Sequence, residues 1–178
     1  MKKIYLLLFF AIFSSQLAAQ DWLSLFIGSA NKYASVELGN FCKKLCSEYS
    51  ISEKLLNDYY IRCGKNWGNV GVALEIAKSS GRNMRDVCRY YDKYHRHGWE
   101  RVLKELGIRH GASCYDPFYE RLHHHCVDWD DYYEDYCERH GKFHPKHPKH
   151  KKHYKKYKKH HKKHFRYDDD DDDDDYDD

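Results

Sequence analysis

His144, His147, His150 and His153 stand three residues apart, and His160, His161 and His164 resume the pattern after Tyr154 and Tyr157. Neutral imidazole is a borderline nitrogen donor, so this spacing points to zinc, nickel or copper. Pro145 and Pro148 favour polyproline II, whose three residues per turn would line such histidines along one edge. Between them stand Lys151, Lys152, Lys155, Lys156, Lys158, Lys159, Lys162 and Lys163. These lysines oppose a bound cation. With the tyrosines they offer an alternative chemistry, contact with anionic surface polymers by charge and stacking. The unbroken Asp run at 168–175 supplies hard carboxylate donors suited to calcium.

A second donor set lies upstream. His124, Asp128 and Asp131 follow at spacings of four and three, with Asp135 four further on. On a helix these side chains share one stripe, and His123, His125 and Cys126 add donors beside it. A single helix supplies two or three ligands, whereas closed structural zinc needs four. The bland reading of the same stripe is a solvated acidic face. No cofactor is obligatory on this reading. A Gly-rich phosphate loop and a His-Glu-x-x-His pair are both absent from the sequence, so a non-enzymatic role is expected.

The elements that position these donors follow from the charge map. The chain has 178 residues and a formal charge of +3, but the charges are segregated. Residues 21–138 hold 16 Lys/Arg and 18 Asp/Glu, a net of −2, and alone have the composition to bury a core. Residues 139–167 hold 13 Lys/Arg, 8 His and no acid, and residues 168–178 hold 10 Asp and no base. Both stretches are too polar to pack, so they are expected to be disordered tails. The boundaries are therefore 1–19, 20–138, 139–167 and 168–178.

The first segment reads as an export signal. Lys2 and Lys3 precede an apolar run from Ile4 to Phe13, and small residues lead to Ala19, with Gln20 as the expected mature N-terminus. The run is too short to span a bilayer, which takes about 20 apolar residues. A periplasmic or extracellular location is expected. Seven cysteines lie in the mature chain, at positions 42, 46, 63, 88, 114, 126 and 137. In an oxidising compartment they should pair where geometry allows, with at least one left over. The sequence does not choose the pairs, nor does it fix an oligomeric state.

Within 20–138 the periodicity is helical. Phe41, Leu45 and Tyr49 share a face. Ser50-Ile51-Ser52-Glu53 has capping-box spacing and predicts a helix carrying Leu55, Leu56, Tyr59 and Tyr60, ended by Gly64. Asn66 is expected to cap a helix with Trp67, Val70, Leu74 and Ala77, stopped by Gly81. Asn83 is expected to cap another with Val87 and Tyr91, broken at His97-Gly98. Trp99, Val102, Leu103 and Leu106 form the next, and Asp116-Pro117 opens the last. At an offset of 32, Leu55, Tyr59, Trp67, Val70 and Leu74 match Val87, Tyr91, Trp99, Val102 and Leu106. The expected fold is all-α, a small bundle of about five to six helices with a duplicated helix pair, Trp67 and Trp99 sharing its core. Phe118, Leu122, Cys126, Trp129, Tyr133 and Cys137 should face that core.

The stretch from Gly98 to Ser113, Gly-Trp-Glu-Arg-Val-Leu-Lys-Glu-Leu-Gly-Ile-Arg-His-Gly-Ala-Ser, followed by Phe118, resembles a motif of an uncharacterised family of small exported bacterial helical proteins. That motif runs roughly Gly-Trp-Gly-x-Ile-Ala-x-x-Leu-Gly-Ile-Lys-Pro-Gly-Ser. The upstream stretch from Asn69 to Ala77 resembles the same family, and the likeness covers about residues 27–122. It departs at Glu100, Leu103 and His110, where the family tends to have Gly, Ala and Pro. The resemblance implies a helical fold and export, and no reaction. The Trp99–Ile108 pattern also resembles the front of a helix-turn-helix, but an exported chain meets no promoter, so no sequence-specific DNA partner is expected. The expected function is binding of metal ions for buffering or scavenging, with a polymer-binding surface protein as the alternative.

Overall fold

The computed structural model describes residues 22–142. The expected signal segment at 1–19, the acidic tail, and the Lys/His-rich tail beyond 142 lie outside the described residues. So do all seven tail histidines and eight tail lysines named above as candidate donors and contacts.

Helix follows helix. The elements are α1 (22–36), α2 (Leu38–Tyr49), α3 (Glu53–Arg62), α4 (Trp67–Ser80), α5 (Met84–Tyr94), a 3-10 turn (His95–His97), α6 (Trp99–Glu105) and α7 (Tyr115–Arg139). This is the expected all-α bundle, with one helix beyond the expected five to six. The addition is α1. Its Trp22, Leu23, Phe26, Ala30, Tyr33 and Ala34 recur at helical intervals and are all buried. No helix of the described residues is long and apolar enough to cross a membrane.

Caps set most of the boundaries. Asn66 accepts a hydrogen bond from the Asn69 N–H at 2.9 Å, and Asn83 accepts one from the Asp86 N–H at 2.9 Å. The α3 cap differs from the expected box. Ser52, not Ser50, is its N-cap, accepting from the Leu55 N–H at 3.3 Å. Ser50 instead takes the left-handed conformation that closes α2, its N–H bonding back to the last carbonyls. Helix α7 begins at Tyr115, so Pro117 falls within its first turn, where its missing N–H would have had no intrahelical partner.

Helix α4 is the centre of the core. Val70, Val72, Ala73, Leu74 and Ile76 are each at most 2% exposed, so the helix is enclosed on every side. Its first turns admit α1 closely. A Cβ on Gly68 would lie 2.6 Å from the Ile27 carbonyl oxygen, and one on Gly71 would lie 2.7 Å from the Phe26 ring. Asn31 of α1 accepts from the Gly68 N–H at 2.9 Å and donates to Asn66 at 3.1 Å. On the other side α7 packs against α4 through Phe118, Leu122 and Cys126, all fully buried. Trp129 and Cys137 are buried too, while Tyr133 is only half-buried.

The pairs α3–α4 and α5–α6 each carry an aromatic clasp. Tyr60 stacks on Trp67 at 4.2 Å, and Tyr91 meets Trp99 at 4.9 Å. Both tryptophans are half-buried and lie at the rim of the core, not within it. Trp99 is fixed there by its indole N–H, which donates to Asn69 at 2.9 Å. The two clasps are not equivalent at the offset of 32, which matches Tyr59 and not Tyr60 to Tyr91, and burial differs too, since Leu55 is 38% exposed where Val87 is fully buried.

Candidate metal centre

On helix α7, His124 and Asp128 stand one turn apart on the side away from the buried Phe118–Leu122–Cys126 line, and His125, next to His124, turns inward toward α4. One ligand atom from each lies within 4.8 Å of the other two. His124 Nδ1 and Asp128 Oδ2 are 3.1 Å apart across the turn. His124 is exposed and His125 half-buried, so the set sits at the surface with one member rooted in the interior.

The root is Glu75. It stands at the middle of α4, fully buried among apolar neighbours. An ionised carboxylate there is costly unless paired and hydrogen-bonded. The Tyr49 hydroxyl of α2 and the His125 Nδ1–H of α7 both donate to its Oε1. Arg121, one turn before His125, donates from Nε to Oε2 at 2.8 Å and from Nη2 to Glu48 at 3.0 Å. Glu48 Oε1 also lies 3.9 Å from His125 Nε2. Helices α2, α4 and α7 thus meet at one charged knot.

Its electrostatics are set by competition. Burial disfavours the Glu75 anion, but the His125 hydrogen bond, Tyr49 and Arg121 outweigh it and hold the carboxyl below its ordinary range. Burial likewise works against a charged His125, and the Glu75 hydrogen bond and charge overcome it, raising the imidazole above 6.5. Burial and the Glu75 anion push Tyr49 well above its usual range, so it stays a neutral donor.

A ring nitrogen donating to a carboxylate is the arrangement that orients metal-binding histidines and raises their basicity. With Nδ1 committed to Glu75, the nitrogen left to His125 for a metal is Nε2, which lies 3.9 Å from Glu48 Oε1. Two imidazoles and one carboxylate suit zinc, nickel or copper, with water completing the shell.

Of the expected stripe, His124 and Asp128 come together. Asp131 does not join them. It is exposed one turn on, and slight burial with the charges of Asp128, Glu134, Asp130 and Asp135 raises its carboxyl above the ordinary range. It belongs to the negative field of α7 and not to the three-donor set. Asp135 lines a different concavity of about 470 Å³, with Tyr33, Glu37, Lys44, Tyr132 and Arg139. There Lys44 sits 3.5 Å over the Tyr132 ring and Arg139 pairs with Glu37 at 3.1 Å.

Sequence reasoning missed the knot that supports the site. The available signal was Glu75 itself, one acid in the otherwise apolar run from Val70 to Ala77. A buried acid implies a cationic partner elsewhere. His125 was visible as a neighbouring donor, but its place beside the stripe gave no reason to prefer it to Asp131. No family model, curated protein or solved structure matches this chain.

Proposed function

We propose that this chain is an exported, non-enzymatic protein that binds borderline divalent metal ions and buffers or scavenges them outside the cytoplasm. The observation that carries the reading is the convergence of His124, His125 and Asp128, with His125 oriented from behind by buried Glu75. Three donors and an open coordination position suit reversible uptake better than permanent structural binding. The acidic surface of α7 attracts cations. The tail histidines, from His144 to His164, add donors in the same chain. Export is supported by the basic, apolar and small-residue layout of the first 19 residues, and by the family resemblance.

The test is calorimetry with zinc, nickel and copper at about pH 8, because Glu75 holds His125 above 6.5 and the imidazole must give up its second proton to bind a metal. It compares the full chain, a chain ending at residue 142, and point variants of each. The shorter chain is expected to retain one site. His124→Ala and Asp128→Ala should abolish it, and Glu75→Gln should weaken it about 10–100-fold by loosening His125. Retained binding in His124→Ala would remove α7 from the proposal. If the full chain binds no metal but binds a polyanion with steep salt dependence, the tail lysines and not the histidines are the functional groups.

A further inference from the structure

Seven cysteines leave the pairing open in sequence, but the fold brings Cys63 and Cys88 together. Cys63 closes α3, and Cys88 lies on the inner face of α5. Both are fully buried, and their thiols are hydrogen-bonded to each other. The chain around Cys63 is clamped to the same neighbours. Its carbonyl accepts from Asn69 of α4 at 3.3 Å and from the Tyr91 hydroxyl of α5 at 3.5 Å. Tyr91 is one turn from Cys88, so the backbone and the sulfur of Cys63 are held against one helix.

The other cysteines are placed differently. Cys126 donates to Ser29 Oγ at 3.7 Å, and Cys137 is hydrogen-bonded to the Tyr133 hydroxyl. Cys42 and Cys46 are successive turns of α2, where bridging geometry is poor. Cys114 precedes α7.

We infer that Cys63 and Cys88 form a disulfide that locks α3 to α5 in the exported protein. The oxidant is a disulfide donor of the thiol-oxidoreductase or glutathione class. Either thiolate can open the exchange, and the course is the same from Cys63 as from Cys88. From Cys88, the sulfur attacks the donor disulfide, the donor S–S bond breaks, and a mixed disulfide forms at Cys88. Cys63 then loses its proton and attacks the Cys88 sulfur, and the second donor thiolate leaves. The protein gives up two electrons, and the donor ends as two thiols carrying both protons. Both sulfurs are enclosed in the finished fold, so the exchange takes place as α5 closes on α3. This goes beyond the metal reading and does not depend on it.

The full chain is refolded once in a mixture of oxidised and reduced glutathione and once under strong reductant. Each sample is alkylated and digested with trypsin, which cuts after Arg62, Lys65, Arg85 and Arg89. The oxidised sample is expected to yield residues 63–65 joined to residues 86–89, and adding reductant should lower its melting temperature by about 10 °C. Recovery of both peptides alkylated from the oxidised sample overturns the inference. So does a bond from either cysteine to another, or a melting temperature indifferent to reductant.

Discussion

Replacing Glu75 by Ala is expected to cost about 3 kcal/mol, the lower end of the range for breaking a buried pair by removing one partner. The lower end applies because the partners have some relief. The Arg121 side chain is 29% exposed and keeps Glu48, and His125 can shed its proton. What remains is a cavity in the middle of α4 and a Tyr49 hydroxyl that has lost its carboxylate acceptor and keeps only His125 Nδ1, 3.3 Å away. Glu75→Gln keeps the volume and an acceptor oxygen, so it should cost less than Ala. Denaturant midpoints of both variants decide the matter. An Ala midpoint within error of wild type means that the knot contributes nothing. A loss of this size is a large part of the 5–15 kcal/mol that usually separates folded from unfolded.

The same knot fixes a pH optimum for the metal-free protein. Glu75 is held below its ordinary 4.5, so its contribution is complete above that value and is lost as pH falls through the lowered one. His125 is held above 6.5, so its contribution is complete below 6.5 and is lost as pH rises through the raised value. The groups facing them are Glu48 and Tyr49 from α2, and Arg121 and His124 from α7. Tyr49 stays neutral and Arg121 charged across this range. Stability from the knot should therefore peak in mildly acidic solution, between about pH 4.5 and 6.5. In Glu75→Gln the alkaline side of that peak should flatten. An unchanged pH profile in that variant would remove the Glu75–His125 pair as its cause.

The second large effect is expected at Phe26. It is 1% exposed and lies against Gly71, so Phe26→Ala should cost about 3–5 kcal/mol. Gly71→Ala alone should also destabilise, by about 1–3 kcal/mol, since the added methyl meets the Phe26 ring. The double variant should be more stable than the sum of the two, because each change makes room for the other. Strict additivity by thermal or denaturant unfolding would mean that α1 does not pack on α4 as described.

Sequence was sufficient where the chemistry is local. Asn66, Asn83, Gly64, Gly81 and Gly98 mark helix ends because capping is local chemistry, complete within four or five residues. The buried line of Phe118, Leu122, Cys126 and Trp129 was legible because periodicity is also local. Helix α1 carries the same local signal, with Phe26, Ala30, Tyr33 and Ala34 at helical spacing. The Glu75 knot is different in kind. Its members are 26 and 50 residues apart, so nothing short of packing α2, α4 and α7 selects His125 over Asp131. The burial of Trp67 and Trp99 was overestimated for a related reason, since a large aromatic at a helix start packs as well at a rim as in a centre.

The enclosure of α4 also orders the timescales on which the molecule opens. Amides from Val70 to Ile76 have no neighbouring surface through which to fray, so their hydrogens should exchange with solvent only when the whole domain unfolds. Helix α3 is the opposite, with Leu56 its one buried side chain and Leu55 and Ile61 facing out. Its amides should exchange through small, frequent openings. The carboxylate that orients His125 is thus mounted on the slowest-breathing part of the fold. His125 inherits the stillness of the interior, so an ion taken up there, on the proposed reading, has less of the site left to order.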